Sequence, residues 1–208
     1  MSEGAGRTYF AATVVGIALY VVLDAIAQSL PPHYSPISQA ESDLAVGPYG
    51  YVMTINFVNR GLFSLLFLAG LRTLPSWQSL RSGMWLVAVW AIGALILAAA
   101  PTDVGGHPTV HGVVHLVVAS LAFLCGAAGS YMISRALSRD PALKELARYS
   151  IPLAALSVVA FLGLFLLPAI TPRLDSSVGG LVERLLIGSI LAWMLSISLP
   201  MLGRRKPP

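Results

Sequence analysis

Six long apolar segments divide this chain of 208 residues, and they constrain its fold more than any other feature. A helix needs about 20 mostly apolar residues to cross a bilayer, with a usual range of about 17–25. Segments of this kind cover residues 9–28, 51–71, 83–100, 112–136, 151–170 and 181–202. Only 11% of the residues are charged, which is too few to cover the surface of a water-soluble protein. The sequence therefore predicts an all-α polytopic membrane protein, a six-transmembrane-helix bundle in which residues 1–208 form a single integral membrane domain.

The lysine and arginine residues are distributed unequally between the two sides of this predicted bundle. One side receives ten of them: Arg7, Arg72, Arg81, Arg135, Arg139, Lys144, Arg148, Arg204, Arg205 and Lys206. The other side receives Arg173 alone, and Arg60 and Arg184 fall within predicted spans. Because cytoplasmic loops carry the excess of Lys and Arg, we expect both termini to be cytoplasmic.

The charge and cysteine content exclude several other classes of protein. The net charge of +4 follows from the loop bias, and nucleic-acid binding needs a basic patch on a folded face, so no nucleic-acid partner is expected. The single cysteine, Cys125, lies in an apolar run, which excludes a disulfide framework and a cysteine metal cluster. We expect no cofactor.

Charged side chains within the predicted spans are the most informative residues. Each costs at least roughly 2.5–3.5 kcal/mol on insertion scales, so it usually faces the bundle interior and has a partner or a function. They are Asp24, Arg60, Glu183 and Arg184, and their polar neighbours in the spans are Asn56, Asn59 and His115. At 1.5 Å per helical residue, Arg60 lies near the midplane and the other charged residues lie near the outer ends of their spans. This asymmetry predicts one outward-facing polar pocket in the outer leaflet.

The predicted outer loops add carboxylates to this pocket. A histidine beside a carboxylate transfers protons at neutral pH. The predicted acid–base residues are therefore His115 with Asp103, Asp43 and Glu41.

Two arginines of the pocket could hold a phosphate or a carboxylate through paired hydrogen bonds. We expect Arg60 or Arg184 to pair with Asp24, Asp103 or Glu41. The predicted substrate-binding residues are Arg184, Arg60, Glu183, Asp24, Ser38 and Asn56. The alternative is that the buried charges only lock the helices in register.

A zinc site is the alternative to metal-free chemistry. His111 and His115 are four residues apart and share one helical face, and Asp103 or Glu41 could be a third ligand. A lone pair of histidines at this spacing is common by chance. We therefore expect no bound metal, and this group of three is a weak candidate.

Several short motifs are similar, in order along the chain, to those of one membrane-protein family. They lie in residues 34–44, 100–103, 108–115, 146–150 and 180–184. The Pro and Asp after the third span, followed by Thr109, Gly112 and His115, resemble the central motif of the bacterial and archaeal membrane family catalogued as domain of unknown function 998.

The resemblance implies a six-helix protein of a prokaryotic cytoplasmic (inner) membrane, and it supplies no established reaction. It points to five positions as a family-wide feature: Ser38, Asp43, Asp103, His115 and Arg184. His107 and His111 stand where we expect other residues in that family, which counts against a zinc site.

The sequence leaves several functions open, and it does not decide whether the protein is an enzyme. The first is binding of, or acid–base chemistry on, a membrane lipid, an isoprenoid or another small amphiphile. The second is a small carrier or proton-coupled transporter, with Asp24 or Glu183 as the proton-coupling group and Arg60 as the substrate clamp. The third is an accessory subunit of a membrane complex, and a homodimer is a further expectation. A pocket closed at the midplane favours the first function, and a second inward vestibule favours transport.

Overall fold

The computed structural model describes residues 3–105 and 107–203, with the description of residues 3 and 172–176 confined to the backbone. The helices are α1 (Glu3–Ser29), α2 (Gly50–Leu71), α3 (Trp77–Leu97), α4 (Val110–Leu137), α5 (Lys144–Ile170) and α6 (Pro172–Gly203). A short 3-10 helix, Glu41–Ala45, lies between α1 and α2. No strand occurs within these described ranges. Six helices are long and apolar enough to cross a membrane, which confirms the predicted all-α, six-helix class.

Several helices extend beyond the apolar segments from which they were predicted. α3 begins at Trp77 and α5 begins at Lys144, each about two turns before the predicted span. The added turns contain polar and charged residues, because a helix continues into the headgroup region where its polar side chains remain in contact with water. The apolar segments therefore located each helix but placed the beginnings of α3 and α5 about two turns too late.

The helices form a closed ring in which each helix packs against the next and α1 packs against α6. Since the number of helices is even, the beginning of α1 and the end of α6 lie at the same end of the bundle, here called the proximal end. The opposite end, called the distal end, carries residues 30–49, 98–105 and 107–109. Arg204, Arg205 and Lys206 of the predicted basic side, and the side chain of Arg173, lie outside the described residues.

The proximal half of the bundle has a closely packed core. The ring centroids of Phe67 and Trp193 are 5.1 Å apart, and the indole N–H of Trp193 donates to Ser134 Oγ over 2.8 Å. Small residues of α4 let α3 approach closely, since a methyl group at Gly129 would lie 2.9 Å from the carbonyl oxygen of Gly83. These contacts pack the interior of the bundle below its distal half.

The first distal loop (residues 30–49) folds onto the bundle. The backbone N–H of Leu181 in α6 donates to the carbonyl oxygen of Ile37 over 2.9 Å. One residue earlier, Gly180 lies so close to the carbonyl group of Gln39 that no side chain would fit there. The loop thereby brings the 3-10 helix, with the buried side chain of Glu41, into the distal half of the bundle.

Candidate functional site

A cavity of about 420 Å³ lies in the distal half, bordered by α2, α4, α5, α6 and the 3-10 helix. One part of its lining is apolar and comes from α4 and α5: Leu116, Ala119, Phe123, Leu164, Phe165 and Pro168. The other part carries ionisable side chains: Glu41, Arg60, His115 and Glu183. The cavity is therefore amphipathic, with a size in the range of small-molecule sites.

The apolar side of this distal cavity reaches the surface of the bundle. Leu116 of α4 and Phe165 of α5 both line the cavity, yet their side chains are 67% and 44% exposed. These residues lie in the membrane-spanning part of their helices, where the surroundings are lipid chains. The gap between the distal halves of α4 and α5 thus connects the cavity with the hydrocarbon region.

Arg60 is the most unusual residue of the cavity. It is 1% exposed, and its Cζ atom lies 5.1 Å from the ring centroid of Phe57 and 4.7 Å from that of Trp90. Its Nε is buried without a hydrogen-bond partner, and no carboxylate among the described residues lies within salt-bridge distance of it. Aromatic faces stabilise a cation but accept few hydrogen bonds. Most of the five N–H donors of the guanidinium are therefore left to bind a further acceptor.

Two carboxyl groups lie on the polar side of the same cavity. The hydroxyl of Tyr20 in α1 donates to Glu41 Oε1, and the backbone N–H of Glu41 donates to Glu183 Oε2 over 3.1 Å. Burial raises the pKa of Glu41, the negative charge of Asp24 raises it further, and the charge of Arg60 partly opposes this. Glu41 therefore holds a proton more readily than a solvated glutamate does.

His115 lines the cavity with a defined tautomer. Its Nδ1 lies 2.7 Å from the carbonyl oxygen of Ala100, which can only accept, so Nδ1 carries a proton. In the neutral ring, Nε2 is then the acceptor. The imidazole also packs against Phe57, with 6.3 Å between the ring centroids, and this fixes its orientation further.

Arg184 and Asp24 form the only salt bridge within the described part of the chain, and neither lines the cavity. Nη1 of Arg184 donates to both carboxylate oxygens of Asp24, over 3.1 and 3.2 Å. Nη2 donates to the hydroxyl of Tyr34 over 2.8 Å, and burial raises the pKa of Tyr34 to about 12. Arg184 with Asp24 is one of the pairings expected from the sequence, and the pair joins α1, α6 and the first distal loop.

Asp103 organises the beginning of α4 and lies outside the cavity lining. Its two carboxylate oxygens accept from the backbone N–H and the hydroxyl of Thr109, over 2.8 and 2.7 Å, and these bonds lower the pKa of Asp103. Thr109 Oγ1 accepts in turn from the backbone N–H of Gly112, as an N-cap. Gly112 has no room for a side chain beside the Asp103 carboxylate. The Asp-Thr-Gly part of the motif is thus a capping device.

The remaining predicted residues lie around the site rather than in it. Asp43 borders a smaller cavity of about 180 Å³ in the first distal loop, and burial raises its pKa. Ser38 is exposed, and its backbone N–H donates to Ser35 Oγ over 3.4 Å. Asn56 Nδ2 donates to the carbonyl oxygen of Tyr20 over 3.1 Å and so links α2 with α1.

The structure thus brings four of the predicted site residues, Glu41, Arg60, His115 and Glu183, to one cavity. No three His, Cys, Asp or Glu side chains in the described ranges are grouped closely enough to hold a metal ion. His111, one turn before the buried His115, is exposed.

Sequence reasoning missed Tyr20, Phe57 and Trp90. Tyr20 lies four residues before Asp24 and therefore on the same helical face, which was an available signal. Trp90 lies in the middle of α3, too deep for the interfacial aromatic belt, and this depth indicated an interior role. Nothing in the sequence indicated that the rings of Phe57 and Trp90 would both lie against Arg60.

The fold and the site define a multi-pass membrane protein with an amphipathic cavity at one end of a six-helix bundle. The chain matches the family described as "Protein of unknown function (DUF998)" over residues 14–200, and it therefore belongs to that family. The expected resemblance is thereby confirmed. No curated protein and no solved structure gives a significant match to the chain.

Proposed function

We propose that this protein binds an amphiphile with an acidic head group, such as a lipid or an isoprenoid phosphate, in the distal cavity. In this proposal the head group pairs with Arg60, and the chain of the ligand leaves through the gap between α4 and α5. The observation that carries the proposal is Arg60 itself, a buried guanidinium that faces a cavity with no ion pair of its own.

A buried cation without a counter-charge is expensive, and the rings of Phe57 and Trp90 offset only about 2 kcal/mol each. Glu41 and Glu183 line the same cavity, but they lie beyond salt-bridge distance of Arg60. A phosphate or carboxylate that reaches Arg60 would supply paired, charge-assisted hydrogen bonds in a site of low dielectric constant.

The location of the ligand follows from the distribution of charge. Seven basic residues of the described chain lie at the proximal end or beside it: Arg7, Arg72, Arg81, Arg135, Arg139, Lys144 and Arg148. By the positive-inside rule the proximal end is cytoplasmic. The cavity then opens to the outer leaflet of the cytoplasmic membrane, and the ligand is a lipid of that leaflet.

Acid–base chemistry on the bound amphiphile is the enzymatic form of this proposal. His115 Nε2 is available to accept a proton, and Glu41, with its raised pKa, is available to donate one. Both line the cavity together with Arg60. In this form Asp103 positions α4 and does not take part in proton transfer, because it lies outside the lining of the cavity.

Binding is tested with dodecyl phosphate, added to the protein in a neutral detergent and followed by thermal unfolding. We expect a rise in Tm for the wild type, no rise with dodecyltrimethylammonium, and loss of the phosphate effect in Arg60→Gln. Arg139→Gln is the matched control, since it removes an exposed arginine that lies at the proximal end and outside the lining of the cavity. An equal rise in Tm for Arg60→Gln and the wild type would contradict the proposal.

A small carrier is the second candidate, and the buried carboxyl groups that line the same cavity as Arg60 favour it, since such groups couple proton and substrate movement in transporters. Close packing beneath the cavity favours the binding function instead: a methyl group at Gly126 of α4 would lie 3.0 Å from atoms of both Trp90 and Ile190. Reconstituted protein that moves dodecyl phosphate across a vesicle membrane would establish the carrier.

A further inference from the structure

A second amphipathic recess lies at the proximal end, far along α2 and α3 from Arg60. This α2–α3 groove has a volume of about 350 Å³. It is lined by Leu68, Arg72, Trp77, Gln78, Arg81, Met84, Trp85 and Ala88. It shares no lining residue with the distal cavity.

The charge of this groove is uncompensated. Arg72 and Arg81 are both exposed, and within the described part of the chain neither forms a salt bridge. Residues 44–102, which include both helices of the groove, contain no Asp or Glu at all. The Cζ atom of Arg72 lies 5.3 Å from the ring centroid of Trp77, and this stacking holds the guanidinium over the groove.

The lining of the groove changes from polar to apolar along α3, and a phospholipid changes in the same order from its head group to its acyl chains. Trp77, Gln78 and Arg81 lie in the first turns of α3, whereas Trp85 and Ala88 follow further along it. The distance from Trp77 to Ala88 is roughly 16 Å along the helix axis. Trp85 is 63% exposed and lies near the beginning of the apolar segment of residues 83–100, where an interfacial aromatic ring is expected. Donors therefore lie at the headgroup level, and apolar side chains lie where the acyl chains begin.

We propose that the α2–α3 groove is a binding site for the phosphate head group of an anionic phospholipid in the proximal leaflet. Arg72 and Arg81 pair with the phosphate, Gln78 contributes a polar amide, and Trp85 and Met84 contact the first methylenes of the acyl chains. Basic recesses between membrane helices recognise anionic head groups in this way. This site is independent of Arg60 and of the function proposed for the distal cavity.

The experiment uses the full-length protein in vesicles and its own tryptophans as reporters. Trp77 and Trp85 lie in the groove, whereas Trp90 and Trp193 are fully buried. Bromine on an acyl chain quenches indole fluorescence only at short range, so brominated lipid reports occupancy of the groove. Two vesicle preparations with equal bromine content are compared. In the first, the bromine is on phosphatidylglycerol mixed with unlabelled phosphatidylcholine. In the second, it is on phosphatidylcholine mixed with unlabelled phosphatidylglycerol.

We expect phosphatidylglycerol to be preferred, by about fivefold for each arginine before screening by salt. The preference should disappear in Arg72→Gln/Arg81→Gln and persist in Arg135→Gln/Arg148→Gln. The second pair removes the same charge from exposed positions elsewhere at the proximal end.

Three results would overturn the proposal. The first is equal quenching by the two brominated lipids in the wild type. The second is a preference that the two double variants lose equally. The third is a preference that millimolar glycerol phosphate abolishes, because the groove would then bind a soluble phosphate rather than a phospholipid. These readouts are independent of dodecyl phosphate binding at Arg60, so the two proposals fail separately.

Discussion

Arg184→Ala tests whether the ion pair at the distal end holds the first distal loop on the bundle. The guanidinium donates to both oxygens of Asp24 and to the hydroxyl of Tyr34. Its removal leaves Asp24 with Gln28 Nε2, at 2.5 Å, as its remaining donor among the described residues. It also releases Tyr34, whose hydroxyl lies 2.9 Å from the carbonyl oxygens of Gln39 and Ala40 in the same loop.

The magnitude follows from the burial of the pair. The two side chains are each 17% exposed, which places them between a surface pair and a buried one. Breaking a buried pair costs about 3–5 kcal/mol, and a surface pair contributes at most about 1 kcal/mol. We expect Arg184→Ala to lower the free energy of unfolding by about 3 kcal/mol. For a protein of this size that is a fall in Tm of about 6–12 °C.

The assay is thermal unfolding in detergent, combined with hydrogen exchange of the first distal loop. Amides of residues 34–40 should exchange faster in Arg184→Ala, while those of the proximal core should not change. The double variant Asp24→Asn/Arg184→Ala should be more stable than Arg184→Ala by about 1–2 kcal/mol, because no unpaired charge remains. His115→Ala is the comparison, since it removes one hydrogen bond and leaves no unpaired charge. A double variant no more stable than Arg184→Ala, or a loss below about 1 kcal/mol in Arg184→Ala, would refute the reasoning.

Three further predictions concern other parts of the distal end. The raised pKa of Glu41 means that the folded protein favours the protonated carboxyl, so its contribution to stability is full below pH 4.5 and is lost as pH rises through the folded pKa. Glu41→Gln should therefore have a flatter Tm profile than the wild type above pH 4.5, and parallel profiles would be the contrary result. Thr109→Ala removes the N-cap of α4 and should cost about 1 kcal/mol in detergent unfolding, whereas no measurable loss would argue against the capping role. Ser38→Cys should react with a membrane-impermeant maleimide added to whole cells, with the buried Cys125 as an internal unreactive control. Labelling only after lysis would reverse the proposed orientation.

The bilayer explains how much of the fold could be predicted from the chain alone. In lipid, the backbone N–H and C=O groups of a membrane span must form hydrogen bonds within that span. An apolar run of sufficient length is therefore a helix whatever its neighbours are. The six helices follow from this rule, as does the prediction that Arg60, His115 and Glu183 face inward, because exposure of polar side chains to lipid is costly. The N-cap of α4 could also have been predicted from the sequence, because Thr109 and Gly112 lie close together in the chain.

Tertiary structure alone decided which polar groups meet. Asp24 and Arg184 are 160 residues apart, and their pairing depends on the closure of the ring between α1 and α6. Glu41 was expected in an external loop, yet the docking of that loop against Gly180 buries it beside Glu183. Arg60 lies against the ring of Trp90, with no carboxylate of the described residues within salt-bridge distance, because α3 packs on α2 with Trp90 facing inward. Helical periodicity determines which residues share a face, but the rotation and tilt of each helix come from side-chain packing between helices, and that packing is a property of the whole bundle.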